Sequence, residues 1–151
     1  MSVKPIPGNQ RGITPYICVK DAARAIEFYK VAFGATETMR IGAPGGKVGH
    51  AEVRIGDAAL MLADEFPEME FRGPQTLGGS PVMLRLYVED ADAAVERAVR
   101  AGATLKRPVA DQFYGDRGGQ IVDPFGHSWW LATRKEDLSR EEIEKRATTM
   151  R

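Results

Sequence analysis

The chain has 151 residues, of which 43% are apolar, and its 21 basic residues are matched by 21 acidic ones. This zero net charge argues against nucleic-acid binding, which requires a basic face. No apolar run approaches the roughly 20 residues of a membrane span, and the first residues lack the apolar stretch of a signal peptide. Because the single cysteine, Cys18, cannot form an intrachain disulfide, we expect a cytoplasmic protein.

The first half of the chain predicts a β-α-β-β-β module over residues 12–64, preceded by an N-terminal arm over residues 1–11. Ile13–Val19 is rich in β-forming residues and predicts a strand. Asp21 is a good N-cap for a helix that ends near Phe33, before Gly34. Three further strands are predicted, over Thr36–Ile41, Val48–Ile55 and Ala58–Ala63.

An inter-module loop over residues 65–81 follows, rich in glycine and proline but also carrying Phe66, Met69 and Phe71. It is too long and too irregular to be a simple hairpin connection. Two interpretations stay open: a flap that covers a ligand, or a crossover segment fixed in place by its aromatic residues.

The second half predicts another β-α-β-β-β module, over residues 82–133. Val82–Val88 is its first strand, and Asp90 caps a helix with a one-sided apolar stripe that ends at Gly102. The remaining strands are predicted near Thr104–Pro108, Gly118–Val122 and Ser128–Thr133. Residues 134–151 form a helical tail that begins with a capping box at Ser139 and that we expect at the surface or in a dimer contact.

An internal repeat relates the two modules. Val19-Lys20-Asp21-Ala22 is echoed by Val88-Glu89-Asp90-Ala91, and Leu62-Ala63 by Leu131-Ala132, both at an offset of 69 residues. Only two copies fit, so each copy is a whole folding module and not a solenoid unit. Two like modules that pack about a pseudo-twofold axis leave a groove between them, and this groove is where we expect a ligand.

Strand alternation predicts which side chains face this groove, because alternate residues of a strand share a face. The residues expected there are Thr14, Tyr16, Cys18, Met61, Met83, Arg85, Tyr87 and Trp130. Methionine, tyrosine and tryptophan with one arginine describe a pocket for an apolar or aromatic molecule that bears an acidic group. The alternative is that Met61, Met83 and Trp130 fill a closed core.

Three further residue types have a structural and a chemical interpretation. His50, at the start of a strand, is a candidate general base, but for both His50 and His127 we favour a structural role. Cys18 has no evident activating base and is expected to be a buried, unreactive thiol. Arg117 is expected to pair with Asp116 or Asp123 as part of the scaffold.

Four sequence segments carry a resemblance to a known family: Asp64-Glu65-Phe66-Pro67-Glu68-Met69, Leu77-Gly78-Gly79-Ser80-Pro81-Val82, Tyr114-Gly115-Asp116-Arg117 and Asp123-Pro124-Phe125-Gly126-His127-Ser128-Trp129. With them the chain resembles the vicinal oxygen chelate superfamily, which includes glyoxalase I, bleomycin-resistance proteins and extradiol dioxygenases, and in particular its PhnB-like branch. The resemblance implies an α+β fold in which two tandem βαβββ modules form a curved mixed sheet around a central groove. It also implies a homodimer.

The resemblance also raises the question of a metal, since enzymes such as glyoxalase I carry four histidine or glutamate ligands. By register with the repeat, these ligand positions fall on Thr14, Met61, Met83 and Trp130. None of the four is a usual ligand for a divalent cation. We therefore expect no metal and no other cofactor, which argues against glyoxalase I or dioxygenase activity.

The favoured hypothesis is a metal-independent protein that binds a small organic molecule, similar to bleomycin-resistance proteins. Its candidate ligand-binding residues are Tyr16, Met61, Met83, Arg85, Tyr87, Phe113, Tyr114 and Trp130. The alternative is an enzyme that acts on a small carbonyl or drug-like substrate without the usual metal. Tyr16, His50, Tyr87 or Cys18 would then supply acid–base chemistry, although the sequence offers no base paired with an orienting group. A third possibility is an interaction module whose groove is filled.

Overall fold

A computed structural model describes residues 2–149 of the chain. It divides into two compact units that meet in sequence at Gly79 and Ser80. Each unit contains one four-stranded mixed sheet and a helix that packs on it. The predicted α+β class, with two tandem βαβββ modules, is confirmed.

The sheet of the first unit has the strand order β1-β4-β3-β2. β1 pairs in parallel with β4, whereas β4 with β3 and β3 with β2 are antiparallel. The chain order of the elements is β1 (Tyr16–Val19), α1 (Ala22–Phe33), β2 (Thr36–Ala43), β3 (Lys47–Ile55) and β4 (Ala58–Asp64).

The segment after β4 is folded and belongs to the first unit. It contains a short 3-10 turn over Pro67–Met69 and a single helical turn, α2 (Pro74–Leu77). Phe66 and Phe71 form an isolated antiparallel bridge, with both backbone hydrogen bonds between them made. This bridge closes a small loop that holds Met69 at its tip.

The second unit repeats the arrangement, with the strand order β5-β8-β7-β6 and a parallel β5–β8 pair. Its elements are β5 (Met83–Tyr87), α3 (Ala91–Arg100), β6 (Thr104–Asp111), β7 (Asp116–Val122), β8 (Ser128–Arg134) and α4 (Arg140–Thr149). α4 begins with the predicted cap, because the Ser139 hydroxyl accepts a hydrogen bond from the backbone N–H of Glu142 at 3.2 Å. Within residues 2–149 no helix combines the length and the apolar character that crossing a membrane requires.

Both long helices begin at the aspartates that the sequence predicts. The Asp21 carboxylate accepts from the backbone N–H of Arg24 at 3.2 Å, and that of Asp90 from Ala93 at 3.1 Å. α1 ends at Gly34, whose φ of 70° is left-handed backbone that favours glycine. α3 ends at Arg100, one residue earlier than a stop at Gly102 predicts, because Ala101 is the C-cap and Gly102 follows it with a φ of 123°.

The first strand is shorter than predicted. β1 begins at Tyr16 and not at Ile13, whose side chain is 99% exposed. Pro15 explains this start, because it has no N–H to continue a ladder, although its carbonyl still accepts from Met61 at 3.0 Å. Thr14 therefore lies before the strand, and the alternation argument that placed it on the Tyr16 face does not apply to it.

Candidate functional site

Three polar side chains of the first unit form a hydrogen-bonded chain. Tyr16 Oη lies 2.7 Å from His50 Nδ1, and His50 Nε2 lies 2.8 Å from Glu52 Oε2. A carboxylate only accepts hydrogen bonds, so the His50 proton sits on Nε2. In a neutral imidazole Nδ1 is then the acceptor, and the phenol of Tyr16 donates to it.

The sheet topology explains why these residues meet. His50 and Glu52 are two residues apart on β3 and share a face of the strand. β4 lies between β3 and β1, and its Met61 is the register partner of both Glu52 and Tyr16. The Tyr16 and Glu52 side chains therefore lie on the same face of the sheet, on the two strands that flank Met61.

The surroundings keep Tyr16 protonated. Burial raises the pKa of the Tyr16 phenol above its usual value of 10.0, and the nearby Glu52 carboxylate and Cys18 thiol raise it further. Tyr16 at neutral pH is therefore a phenol that donates to His50. Cys18, on the same strand, is buried, and its burial with the charges of Glu65 and Asp64 raises the pKa of its thiol to about 12.

A cavity of about 420 Å³ opens beside Tyr16 in the first unit. Its lining residues are Tyr16, Gly49, Ala63, Phe66, Met69 and Phe71. The Phe71 ring packs edge-on against Tyr16 with a centroid distance of 5.8 Å. The walls are thus apolar and aromatic. The hydroxyl of Tyr16 is hydrogen-bonded to His50, which is in turn hydrogen-bonded to Glu52.

The second unit holds a different cluster, centred on the buried carboxylate of Asp116. Its Oδ2 accepts from Tyr87 Oη at 2.6 Å and from Arg85 Nη2 at 3.3 Å. The Arg85 guanidinium lies 5.9 Å from the ring centroids of Tyr87, Tyr114 and Trp130. The hydrogen bond to Asp116 raises the pKa of Tyr87, so Tyr87 remains a donor.

A second cavity, of about 520 Å³, adjoins this cluster. Its lining residues are Tyr87, Tyr114, Asp116, Arg134, Glu136, Leu138 and Ile143. The tail that leads into α4 therefore forms part of the wall of this cavity. The sequence had predicted only a surface or dimer contact for this tail. Phe113 packs edge-on against Tyr114 with a centroid distance of 5.3 Å.

A sequence model of the Glyoxalase/Bleomycin resistance protein/Dioxygenase superfamily matches residues 12–131, most of the chain. The chain belongs to this superfamily. A Mycobacterium bovis protein is 43% identical over 135 residues, which cover 87% of this chain and 89% of that protein. An Arabidopsis thaliana protein is 30% identical over 127 residues, covering 80% and 76% of the two chains.

Solved structures of superfamily members share the fold. The X-ray structure of an Arabidopsis thaliana gene product is 28% identical, covers 82% of this chain and 98% of its own, and gives a TM-score of 0.66. A PhnB protein from Bacillus cereus is 17% identical, covers 82% and 99%, and gives a TM-score of 0.64. The fold of the PhnB-like branch, which the sequence resembles, is therefore matched.

The metal that many members of this superfamily use does not suit the side chains of this chain. By register with the repeat, the positions that the family resemblance assigns to metal ligands are Thr14, Met61, Met83 and Trp130. Indole is a hydrogen-bond donor only, and a thioether is a soft, weak ligand for the hard cations concerned. Within residues 2–149 no group of three or more His, Cys, Asp or Glu side chains is arranged to hold a metal ion.

The structure divides the predicted ligand-binding residues between the two units. Tyr16 and Met61 are register partners in the first unit, whereas Arg85, Tyr87, Tyr114 and Trp130 cluster in the second. Met83 is 44% exposed at the start of β5, and Trp130 is only 7% exposed. That these residues contact a ligand stays a prediction.

Two other interpretations from the sequence can be compared with the structure. Arg117 is part of the scaffold as expected, but its partners are Asp92 at 2.7 Å and Asp111 at 3.1 Å, and the prediction of Asp116 or Asp123 was wrong. Asp123 instead accepts from the backbone N–H of His127 at 3.0 Å. This contact places His127 in a turn, as predicted.

Sequence reasoning missed two carboxylates. Glu52 orients His50, and its position two residues further along a predicted strand was the available signal. Asp116 was considered only as a partner for Arg117. No sequence signal linked it to Arg85 and Tyr87, because the pairing of β7 with β8 and of β8 with β5 brings them together.

Proposed function

We propose that this protein binds a small apolar or aromatic molecule without a metal, and that the first unit holds it. The observation that carries this proposal is the cavity beside Tyr16, which Phe66, Met69 and Phe71 border. Its volume of about 420 Å³ falls in the usual range for small-molecule sites. Aromatic and thioether walls favour an apolar or aromatic compound over a sugar or a nucleotide.

In the second unit, we propose that Arg85 recognises an acidic group of a ligand at that unit's own cavity, which Tyr87, Tyr114 and Asp116 help to line. Arg85 is half-exposed and has donors beyond the one it gives to Asp116. The carboxylate of Asp116 neutralises part of its charge, so an acidic ligand would gain less than from an unpaired arginine. Trp130 and Tyr114 flank the guanidinium and would contact the flat part of such a ligand.

Titration with N-phenyl-1-naphthylamine, a neutral dye whose fluorescence rises in apolar surroundings, tests the first part. Met69 is 75% exposed, so Met69→Gln should fold normally yet weaken binding about tenfold, since it removes an apolar contact from the wall. Val31→Gln, at a 60% exposed position on α1, is the matched control. Equal affinity in both variants would contradict the proposed pocket.

Anilinonaphthalene sulfonate, an acidic dye of similar size, tests the role of Arg85. If Arg85 pairs with an acidic group, Arg85→Ala should weaken binding of the sulfonate several-fold and leave the neutral dye unaffected. A variant that binds both dyes like the wild type would show that Arg85 serves the scaffold through Asp116.

We further propose that the protein works in the cytoplasm as a homodimer and has no nucleic-acid partner. The single cysteine supports a reducing compartment, and the zero net charge argues against nucleic-acid binding. A second candidate function, an enzyme that acts on a small carbonyl or drug-like substrate without a metal, is favoured by the Tyr16–His50–Glu52 chain.

A further inference from the structure

The Tyr16–His50–Glu52 chain is not something that the fold requires. The repeat provides the comparison, because Met61 of the first unit and Trp130 of the second occupy equivalent positions. Met61 pairs with Tyr16 and Glu52, and Trp130 pairs with Arg85 and Gln120. The position equivalent to His50 is Gly118. The second unit thus forms the same sheet with arginine, glycine and glutamine, none of which can act as a base at neutral pH.

The geometry of the hydrogen bonds between Tyr16, His50 and Glu52 suits proton transfer. Glu52 holds the proton on His50 Nε2, which turns the lone pair of Nδ1 toward Tyr16. If Tyr16 Oη accepts a proton from a neighbouring molecule, its own proton can pass to Nδ1. The imidazolium that results is stabilised by the carboxylate 2.8 Å from Nε2. The group at the open end of the chain, Tyr16, is 45% exposed and borders the cavity.

We propose that Tyr16, His50 and Glu52 form a metal-independent proton relay that enolises a small α-aryl ketone bound in the first-unit cavity. The inference rests on the pocket proposed above. Tyr16 is the catalytic residue, since it is the member of the hydrogen-bonded chain that lines the cavity. His50 and Glu52 are positioning residues that act through it. An α-aryl ketone fits because its ring matches the aromatic wall, and because an aryl group on the α-carbon makes the hydrogen on that carbon more acidic.

The reaction balances without another reactant. The C–H bond next to the carbonyl breaks, its electron pair forms the enolate, and the proton goes to Tyr16 Oη. At the same time the phenolic proton of Tyr16 moves to His50 Nδ1. The reverse steps return a proton to the carbon, so the net result is enolisation and exchange of that hydrogen with solvent. Since Tyr16 is a phenol in the resting state, it can act as a base only by passing its own proton to His50.

Labelling with benzenesulfonyl fluoride tests the relay directly. Tyr16 Oη attacks sulfur, the S–F bond breaks, fluoride leaves, and the phenolic proton goes to His50. Peptide mass spectrometry should show Tyr16 modified at least tenfold faster than Tyr87, an internal control that is more exposed but hydrogen-bonded to a carboxylate. His50→Ala should slow labelling of Tyr16 at least tenfold, and added imidazole should restore much of the rate.

A purely structural histidine would not respond to imidazole, so the rescue separates the two roles. His50→Gln can still hydrogen-bond to Tyr16 but cannot take its proton, and it should label as slowly as His50→Ala. His50 is about 25% exposed, so both variants should fold. Labelling of Tyr16 in His50→Gln at the wild-type rate would overturn the relay, as would a His50→Ala variant that imidazole does not rescue.

Hydrogen exchange of phenylacetone in D₂O, followed by NMR, tests the substrate class. The wild type should exchange the benzylic hydrogens at least tenfold faster than Tyr16→Phe. Equal rates would overturn the assignment of α-aryl ketones as the substrate class. Failure of the pocket is distinguishable, because phenylacetone would then give no saturation-transfer signal with the protein. Failure of the relay would leave that signal in place and remove the dependence of labelling on His50.

Discussion

At the scale of single residues, the tight packing of Trp130 over Gly118 is the feature of the second unit with the clearest consequence. A Cβ placed on Gly118 would lie 2.7 Å from Trp130 Nε1 and 2.9 Å from the Leu131 carbonyl oxygen. Trp130 Nε1 is itself buried, and within residues 2–149 it has no hydrogen-bond partner. The indole thus occupies the space that a side chain on β7 would fill.

Gly118→Ala should therefore destabilise the protein by about 1–3 kcal/mol, because the backbone carbonyl cannot move away from the new methyl group. Gly49→Ala is the matched control on β3, where the nearest neighbour of the added atom lies at an ordinary 3.4 Å. Urea denaturation of the two variants measures the difference. A Gly118→Ala protein as stable as Gly49→Ala would show that Trp130 can shift at little cost.

Cys18 should be almost unreactive in the folded protein. Its pKa of about 12 lies well above the unperturbed value, so at pH 8 the thiolate fraction is on the order of 1000-fold smaller than for a free thiol. We expect iodoacetamide to modify Cys18 at least 100-fold more slowly in the folded chain than in guanidinium chloride. Comparable rates in the two states would contradict the burial of this thiol.

The same raised pKa links Cys18 to stability. The folded state keeps the thiol proton to a higher pH than the unfolded chain does, so this contribution is intact below pH about 8.5 and falls as the pH rises toward 12. Cys18→Ala removes this pH-dependent contribution to stability, because alanine has no ionisable group. The stability of the wild type relative to Cys18→Ala should therefore decline between pH 9 and 11 in thermal denaturation, and a constant difference would contradict this.

At the scale of secondary structure elements, each unit uses a side chain at the end of a central strand to hold the first residue of its long helix by a hydrogen bond. Asp64, at the end of β4, accepts from the backbone N–H of Ala22 at 2.8 Å and of Val48 at 2.6 Å. At the equivalent position, Thr133 accepts from Ala91 at 2.9 Å and donates to the Val88 carbonyl at 2.8 Å. A carboxylate and a hydroxyl thus perform the same task in the two copies.

Asp64→Ala should cost about 3 kcal/mol of stability, because it leaves two buried N–H groups without an acceptor. Thr133→Val should cost only about 1–2 kcal/mol, since it leaves one N–H and one carbonyl in a less buried place. Asp57→Ala, in the exposed turn between β3 and β4, is a control that should change stability by less than about 0.5 kcal/mol. The comparison fails if Asp64→Ala and Asp57→Ala unfold at the same urea concentration.

At the scale of the whole molecule, the state of assembly is open to a direct measurement. Native mass spectrometry should report twice the 16.6 kDa mass of the chain, because superfamily members commonly form dimers and large apolar side chains such as Ile41, Val82 and Leu105 are exposed here. The same spectrum reports any organic molecule or metal that accompanies the protein. A monomer at micromolar concentration would contradict the dimer.

The repeat, the caps at Asp21 and Asp90 and the course of the strands followed from the sequence because they depend on local signals. The start of β1 did not, since Pro15 outweighs the β-forming residues before it. The candidate site was harder still. His50 was recognised as a possible base, and strand alternation could have placed Glu52 beside it. Tyr16 is brought to His50 by the β3–β4 and parallel β1–β4 pairs, and no local pattern encodes which strand pairs with which.

The equivalence of Tyr16, His50 and Glu52 with Arg85, Gly118 and Gln120 bears on how such a protein can evolve. A symmetric assembly made of separate copies of one module must carry each substitution in every copy. Once two copies are joined in one gene, a mutation alters one of them and leaves the other as it was. The first module of this chain could then gain ionisable groups and the second a buried tryptophan, without either substitution having to occur in the other module.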